Sequence, residues 1–184
     1  LSAHLQSLGD TLVRAVVLRT MALVHHRSGR LPESLDMNRL ALDAARAANV
    51  PILVALTLTQ RGITLCEYGL PEQALISFNQ AREQLDSERP LFTMNLDVLI
   101  GSAQLEIRQA NSALASFLRG LDWAEQSGAT QLAVRLRDFT AQAYLELGDP
   151  ETAIQYLEGV FAGPVPQLSN DIRIGALTTL GRAY

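Results

Sequence analysis

The sequence predicts an all-α fold: an α-solenoid of stacked antiparallel helical hairpins, with four full repeats and the first helix of a fifth. Three observations predict it. The 184 residues include 32 leucines and 24 alanines, with aromatics at only 5%, a bias toward helices that pack closely through small side chains. Laid over itself with a shift of about 40, the chain brings small residues into phase at Ala22, Gly62, Gly101, Ala141 and Gly181. Two further sets keep that phase: Ser34, Ala74, Ala113 and Ala153, then Ala41, Ala81, Gly120 and Val160. Finally, turn signals return with the same period, as Gly29-Arg-Leu-Pro-Glu33, Gly69-Leu-Pro-Glu72 and Gly148-Asp-Pro-Glu151.

Each turn has a physical reading. Glycine takes the left-handed conformation that closes one helix, proline suits the first turn of the next, and the glutamate meets that helix's positive end. A second break lies 20 residues before each, at Gly9, Asn49 and Gly128, residue types that tolerate positive φ. Helices are therefore predicted near 11–28, 31–48, 51–68, 71–86, 91–107, 110–127, 130–147, 150–161 and 169–184, with residues 1–8 completing an earlier helix. In the third repeat Arg108-Gln109-Ala110-Asn111 replaces the glycine-proline turn, yet Ala113, Phe117 and Gly120 hold their places. The Gly163-Pro164-Val165-Pro166 stretch shortens the second helix of the fourth repeat and forces a longer connection.

Two helices per unit, small residues at the eighth, twentieth and twenty-seventh places and a bulky residue at the twenty-fourth (Asn38, Phe78, Phe117, Leu157) resemble the tetratricopeptide repeat. The unit is longer than the usual 34 residues. It is similar to the roughly 40-residue variant of maltose-regulator-like activators, peptide-sensing regulators and kinesin light chains. HEAT or armadillo repeats rank second, because they do not predict the three small-residue sets. The frame divides the chain into a single solenoid domain, 1–184, with repeats at 11–49, 50–89, 90–128 and 129–167 and a partial one at 168–184. The departures from the family pattern are polar. The fourth place reads Leu18, Leu58, Asp97 and Arg137, and the eleventh His25, Leu65, Gln104 and Tyr144.

Composition excludes several functions. A net charge of −4 gives no field for attracting nucleic acid, and no apolar run approaches the length of a membrane span. All the basic residues are arginine, as a GC-rich bacterial gene would encode, and the chain reads as cytoplasmic and as a segment of a longer multidomain protein. Catalytic motifs are missing: no phosphate-binding glycine loop, no paired CxxC, no nucleophile elbow and no metalloprotease helix. The adjacent pair His25-His26 points about 100° apart and cannot share a metal. Cys66 reads as a semi-buried structural thiol and Trp123 as core packing. A carboxylate set at Glu67, Glu106 and Glu146 would support an enzyme only if it converged in space, and exposed solubilising residues explain it better. The expectation is a non-catalytic chain with no metal and no cofactor.

The resemblance implies a concave face, lined by the first helix of each hairpin, that binds a protein or peptide, with a small signal molecule as a further candidate. Carried onto this sequence, the contact places are Arg19, Leu23, His26, Thr59, Ile63, Asn95, Ser102, Arg135, Asp138 and Gln142, grading from apolar to polar along the chain. Solubility alone explains more than half of these. The unpaired apolar faces of the terminal helices raise a second expectation, a homodimer.

Overall fold

The computed structural model describes residues 2–85, 90–161 and 170–184. Among these residues there are nine helices and no strand: α1 (Ser2–Arg27), α2 (Leu31–Ala47), α3 (Pro51–Glu67), α4 (Pro71–Glu83), α5 (Pro90–Glu106), α6 (Ala110–Gln126), α7 (Thr130–Glu146), α8 (Pro150–Phe161) and α9 (Asn170–Ala183). The chain forms two compact units, Leu1–Leu96 and Asp97–Tyr184. The division falls inside α5, within the third repeat.

Tight turns set the rhythm. Positive φ occurs at Gly29, Asn49, Gly69, Arg108, Gly128 and Gly148, with values between 52° and 82°. Each closes its helix the same way, because the amide of the following residue reaches back across a full turn. Arg30 N donates to His25 O (3.0 Å), Leu70 N to Leu65 O (2.9 Å), Gln109 N to Gln104 O (2.8 Å) and Asp149 N to Tyr144 O (2.9 Å). These bonds satisfy carbonyls that the helix end leaves without partners. Proline then fixes the first turn of α2, α3 and α4. At α8 the aspartate of Gly148-Asp-Pro-Glu151 also caps, accepting the Thr152 amide on Oδ1 (3.0 Å), and its hydrogen bonds to Thr152 lower the Asp149 carboxyl from its ordinary value.

One turn expectation needs correction. Gly9 does not break the chain, since α1 runs through it from Ser2 to Arg27. An isolated glycine costs a helix only about 1 kcal/mol, and no proline follows to stop the helix from continuing. The third-repeat turn, which lacks a glycine, still takes a left-handed residue, and it is Arg108 (φ 62°). The Gly163–Pro166 stretch lies outside the described residues, which follow α8 as far as Phe161.

Packing follows the small-residue phase. A Cβ on Gly101 would lie 2.5 Å from Phe117 Cε1, and one on Gly62 would collide with the ring of Phe78. Both rings are completely buried, so each glycine lets a second-helix aromatic seat against the first-helix backbone. In the fourth repeat the pair is Ala141 with Leu157, both buried in one cluster with Ala153, Val160 and Ala176. In the first it is Ala22 with Asn38, both fully buried. A larger small residue is thus matched by a smaller bulky one. In the second unit, Ala113, Phe117, Leu121 and Ala124 of α6 pack with Leu136 and Ala143 of α7, and Phe117 stacks on Phe139 at 5.3 Å. Trp123 lies partly buried against that cluster.

Candidate functional site

In the first unit, the expected contact residues sit on α1, α3 and the start of α5. Arg19, Leu23, Thr59 and Ile63 are half-buried and Asn95 is exposed. Thr59 spends its hydroxyl on Ala55 O (2.8 Å) within its own helix. Arg19 buries Nε without a hydrogen-bond partner. His26 is a bridge between α1 and α3: its Nδ1 lies 3.3 Å from Thr64 Oγ1 and its Nε2 3.4 Å from Glu67 Oε1. Behind it, Ser34 Oγ donates to Ala22 O (2.9 Å) and lies 3.4 Å from Thr64 Oγ1. The hydroxyl–imidazole–carboxylate order is that of a nucleophilic triad, but Thr64 is fully buried and donates to Gln60 O (3.0 Å). No substrate can reach it, so the chain Ser34–Thr64–His26–Glu67 ties hairpins together. Its neighbour His25 is half-buried, with Nδ1 buried and unpartnered.

In the second unit, Ser102, Asp138 and Gln142 are half-buried and Arg135 is exposed. Gln142 Nε2 donates to Asp138 Oδ2 (3.1 Å), and the carboxylate also meets the hydroxyl of Thr179 on α9. A Cβ on Gly175 of α9 would lie 3.3 Å from the same oxygen. Burial between α7 and α9 raises the Asp138 carboxyl above its ordinary value, outweighing the two hydrogen bonds. Asp138 is therefore already engaged by α9, whereas Arg135 and, in the first unit, Asn95 present exposed polar ends.

The polar departures at the fourth and eleventh places have a structural cause. Asp97 accepts from Arg119 Nη2 of α6 (3.2 Å), and Gln104 accepts from Ser116 Oγ of α6 (3.2 Å). Arg137 Nη2 donates to Glu125 of α6 at 2.7 Å, and Tyr144 stacks on Tyr156 of α8 at 5.5 Å. Positions expected to be apolar thus hold hairpins by directional contacts. Arg137 and Glu125 also line an open hollow of about 430 Å³ with Leu121, Gln155 and Tyr156. Sequence reasoning missed it, because its residues come from three helices.

The glutamates at the thirteenth place are not a carboxylate set. Glu67 faces His26, while Glu146 accepts from Arg108 Nη1 at 2.7 Å and lies 3.8 Å from Arg182. Among the described residues no group of histidine, cysteine and carboxylate side chains could hold a metal ion, and no helix is long and apolar enough to cross a membrane. Cys66 is a half-buried thiol outside any disulfide.

Solved structures share this architecture. The nearly identical TPR-like repeats of a Podosopora anserina protein described as a kinesin light chain superpose with a TM-score of 0.77, at 16% identity, over 94% of this chain and 86% of that one. A single-substitution variant of those repeats gives 0.79 at the same identity and coverage. Aspartyl phosphate phosphatase F from Bacillus subtilis superposes at 0.73 with 18% identity, over 83% of this chain and 40% of that one. No protein-family model matches the sequence, and no curated protein is significantly similar to it.

Proposed function

Starting from a chain with the fold of a tetratricopeptide-type solenoid, we propose that it is a non-catalytic interaction module that binds a protein or peptide through the exposed faces of its first helices. The observation that carries this reading is the in-phase repetition of two-helix units, shared with TPR-like repeats, in which polar side chains of the first helices are taken up by bonds between helices. The surface then has recognition to offer and no reaction centre. Within the first unit the contact residues are Arg19, Leu23, Ile63 and Asn95, with Thr59 and His26 contributing carbon surface, since their polar atoms are already occupied. Within the second they are Arg135, Ser102 and Gln142, with Asp138 positioned between α7 and α9.

The finer reading is a cytoplasmic signal-sensing module of a larger bacterial regulator. The arginine-only cations and the resemblance to a bacterial aspartyl phosphate phosphatase support it. The signal is a peptide or a small molecule seated on the same faces. The test is capture of partners from the native cell with the intact chain, beside an Asn95→Ala/Arg135→Ala variant and an Arg39→Ala control on α2, where Arg39 is exposed. Partners lost with the double variant and kept with the control support the reading. Equal recovery with both would discard the chosen faces.

A further inference from the structure

One face of α1 stands out as uncovered. Leu12, Val13, Val16, Val17, Met21 and Val24 are 39–63% exposed, six large apolar side chains on one helix. The opposite line, Ala15 and Ala22, is completely buried. The repeat register shows what such a face is for. Val17, Met21 and Val24 correspond in phase to Leu136, Thr140 and Ala143 on α7, all buried. On α7, Leu136 and Ala143 pack against α6, the second helix of the preceding repeat. The corresponding residues on α5, Leu96, Ile100 and Ala103, are buried too. The α1 face is therefore built to accept a helix.

Its sequence says which helix. Along the outer seam the residues run Asp10, Val13, Val17, Thr20, Val24 and Arg27, in alternating steps of three and four, the spacing of a two-helix seam. All six are exposed. Thr20 donates its hydroxyl to Val16 O (2.9 Å), leaving its methyl free for the seam. Asp10 and Arg27 stand at opposite ends of the seam, too far apart along one helix to meet each other. Turned end for end, this series is complementary to itself: Asp10 meets Arg27, Val13 meets Val24, and Val17 meets Thr20.

We propose that two copies of this chain pair antiparallel through α1, with Val13, Val17, Thr20 and Val24 forming an apolar seam closed at both ends by Asp10–Arg27 ion pairs between copies. The arrangement is a two-fold contact, in which the same patch serves both partners and leaves no open end for further growth. Small β-branched residues let the two helices approach closely, and an antiparallel pairing satisfies four charges that a parallel one would set like against like.

The experiment is sedimentation equilibrium of the full chain up to about 0.5 mM, with circular dichroism to confirm that each variant stays helical. A dimer is expected, and Val17→Glu is expected to weaken it at least about tenfold, because it buries charge in the seam. Asp10→Arg alone sets the introduced arginine of each copy against the other copy's Arg27 and weakens pairing, whereas Asp10→Arg with Arg27→Asp restores it. That rescue is specific to the antiparallel seam. A monomer throughout the concentration range overturns the proposal. So does a dimer that survives Val17→Glu but is lost with Leu177→Glu on α9, where Ile174, Leu177 and Tyr184 are also exposed. A double charge reversal that fails to restore pairing overturns the geometry as well.

Discussion

The first two hairpins solve the same packing problem with different materials. In the second, Gly62 opens a slot that the apolar ring of Phe78 fills completely buried. In the first, Ala22 and Asn38 stand at the corresponding places, both fully buried, and Asn38 Oδ1 and Nδ2 have no hydrogen-bond partner. The helices nevertheless keep the same phase. What holds the register is the summed size of the two side chains, while their polarity sets how stable the crossing is.

The comparison can be broken most severely by emptying the slot. Phe78→Ala is expected to lower the unfolding free energy by about 3–5 kcal/mol, whereas Asn38→Ala, removing a side chain whose amide is unpartnered, should cost far less. Chemical denaturation of the two variants measures the gap, and equal losses would contradict the account. Overfilling comes next. Gly101→Ala places a methyl against the Phe117 ring and should cost about 1–3 kcal/mol, read as a lowered Tm. Gly181→Ala is the control, because a Cβ there meets nothing within 4 Å.

The comparison is sharpened by converting one solution into the other. Asn38→Leu copies the Ala141–Leu157 pair of the fourth repeat and relieves two unpaired amide atoms, so it should stabilise the chain by about 1–3 kcal/mol in the same denaturation assay. The smallest effect belongs to the turns. Arg108→Gly removes a left-handed strain of roughly 1–2 kcal/mol but also the exposed Arg108–Glu146 bond, worth up to about 1 kcal/mol. A net gain of a few tenths to about 1 kcal/mol is expected, and a clear loss would show that the ion pair governs this turn.

Much of the architecture was legible in the sequence because its determinants are local. Gly29, Gly69, Gly128 and Gly148, together with Asn49, adopt the left-handed backbone their residue types permit. The in-phase small residues pointed to the two glycine–phenylalanine contacts. Arg108 was hidden, since arginine carries no left-handed signal and only the register located the turn. Gly9 misled for the opposite reason, offering conformational freedom that the helix does not use. The candidate surface was less legible. Asp138 looks available in the sequence, but Gly175 and Thr179, a full repeat later, close over it. His26 looks like a lone groove histidine until Thr64 and Glu67 are seen on the neighbouring first helix. Residue types announce turns, whereas hydrogen-bond partners depend on which helix arrives next.

The cross-links between helices are short in sequence: 12 residues from Ser34 to Ala22, 22 from Arg119 to Asp97, 38 from His26 to Thr64 and from Arg108 to Glu146. Each of these stays within the length of one repeat. Little loop-closure entropy is lost before such links form, so this topology belongs with the low-contact-order proteins that assemble rapidly. Amide hydrogen exchange should accordingly proceed in hairpin-sized steps, with each pair of helices opening as its own cooperative block.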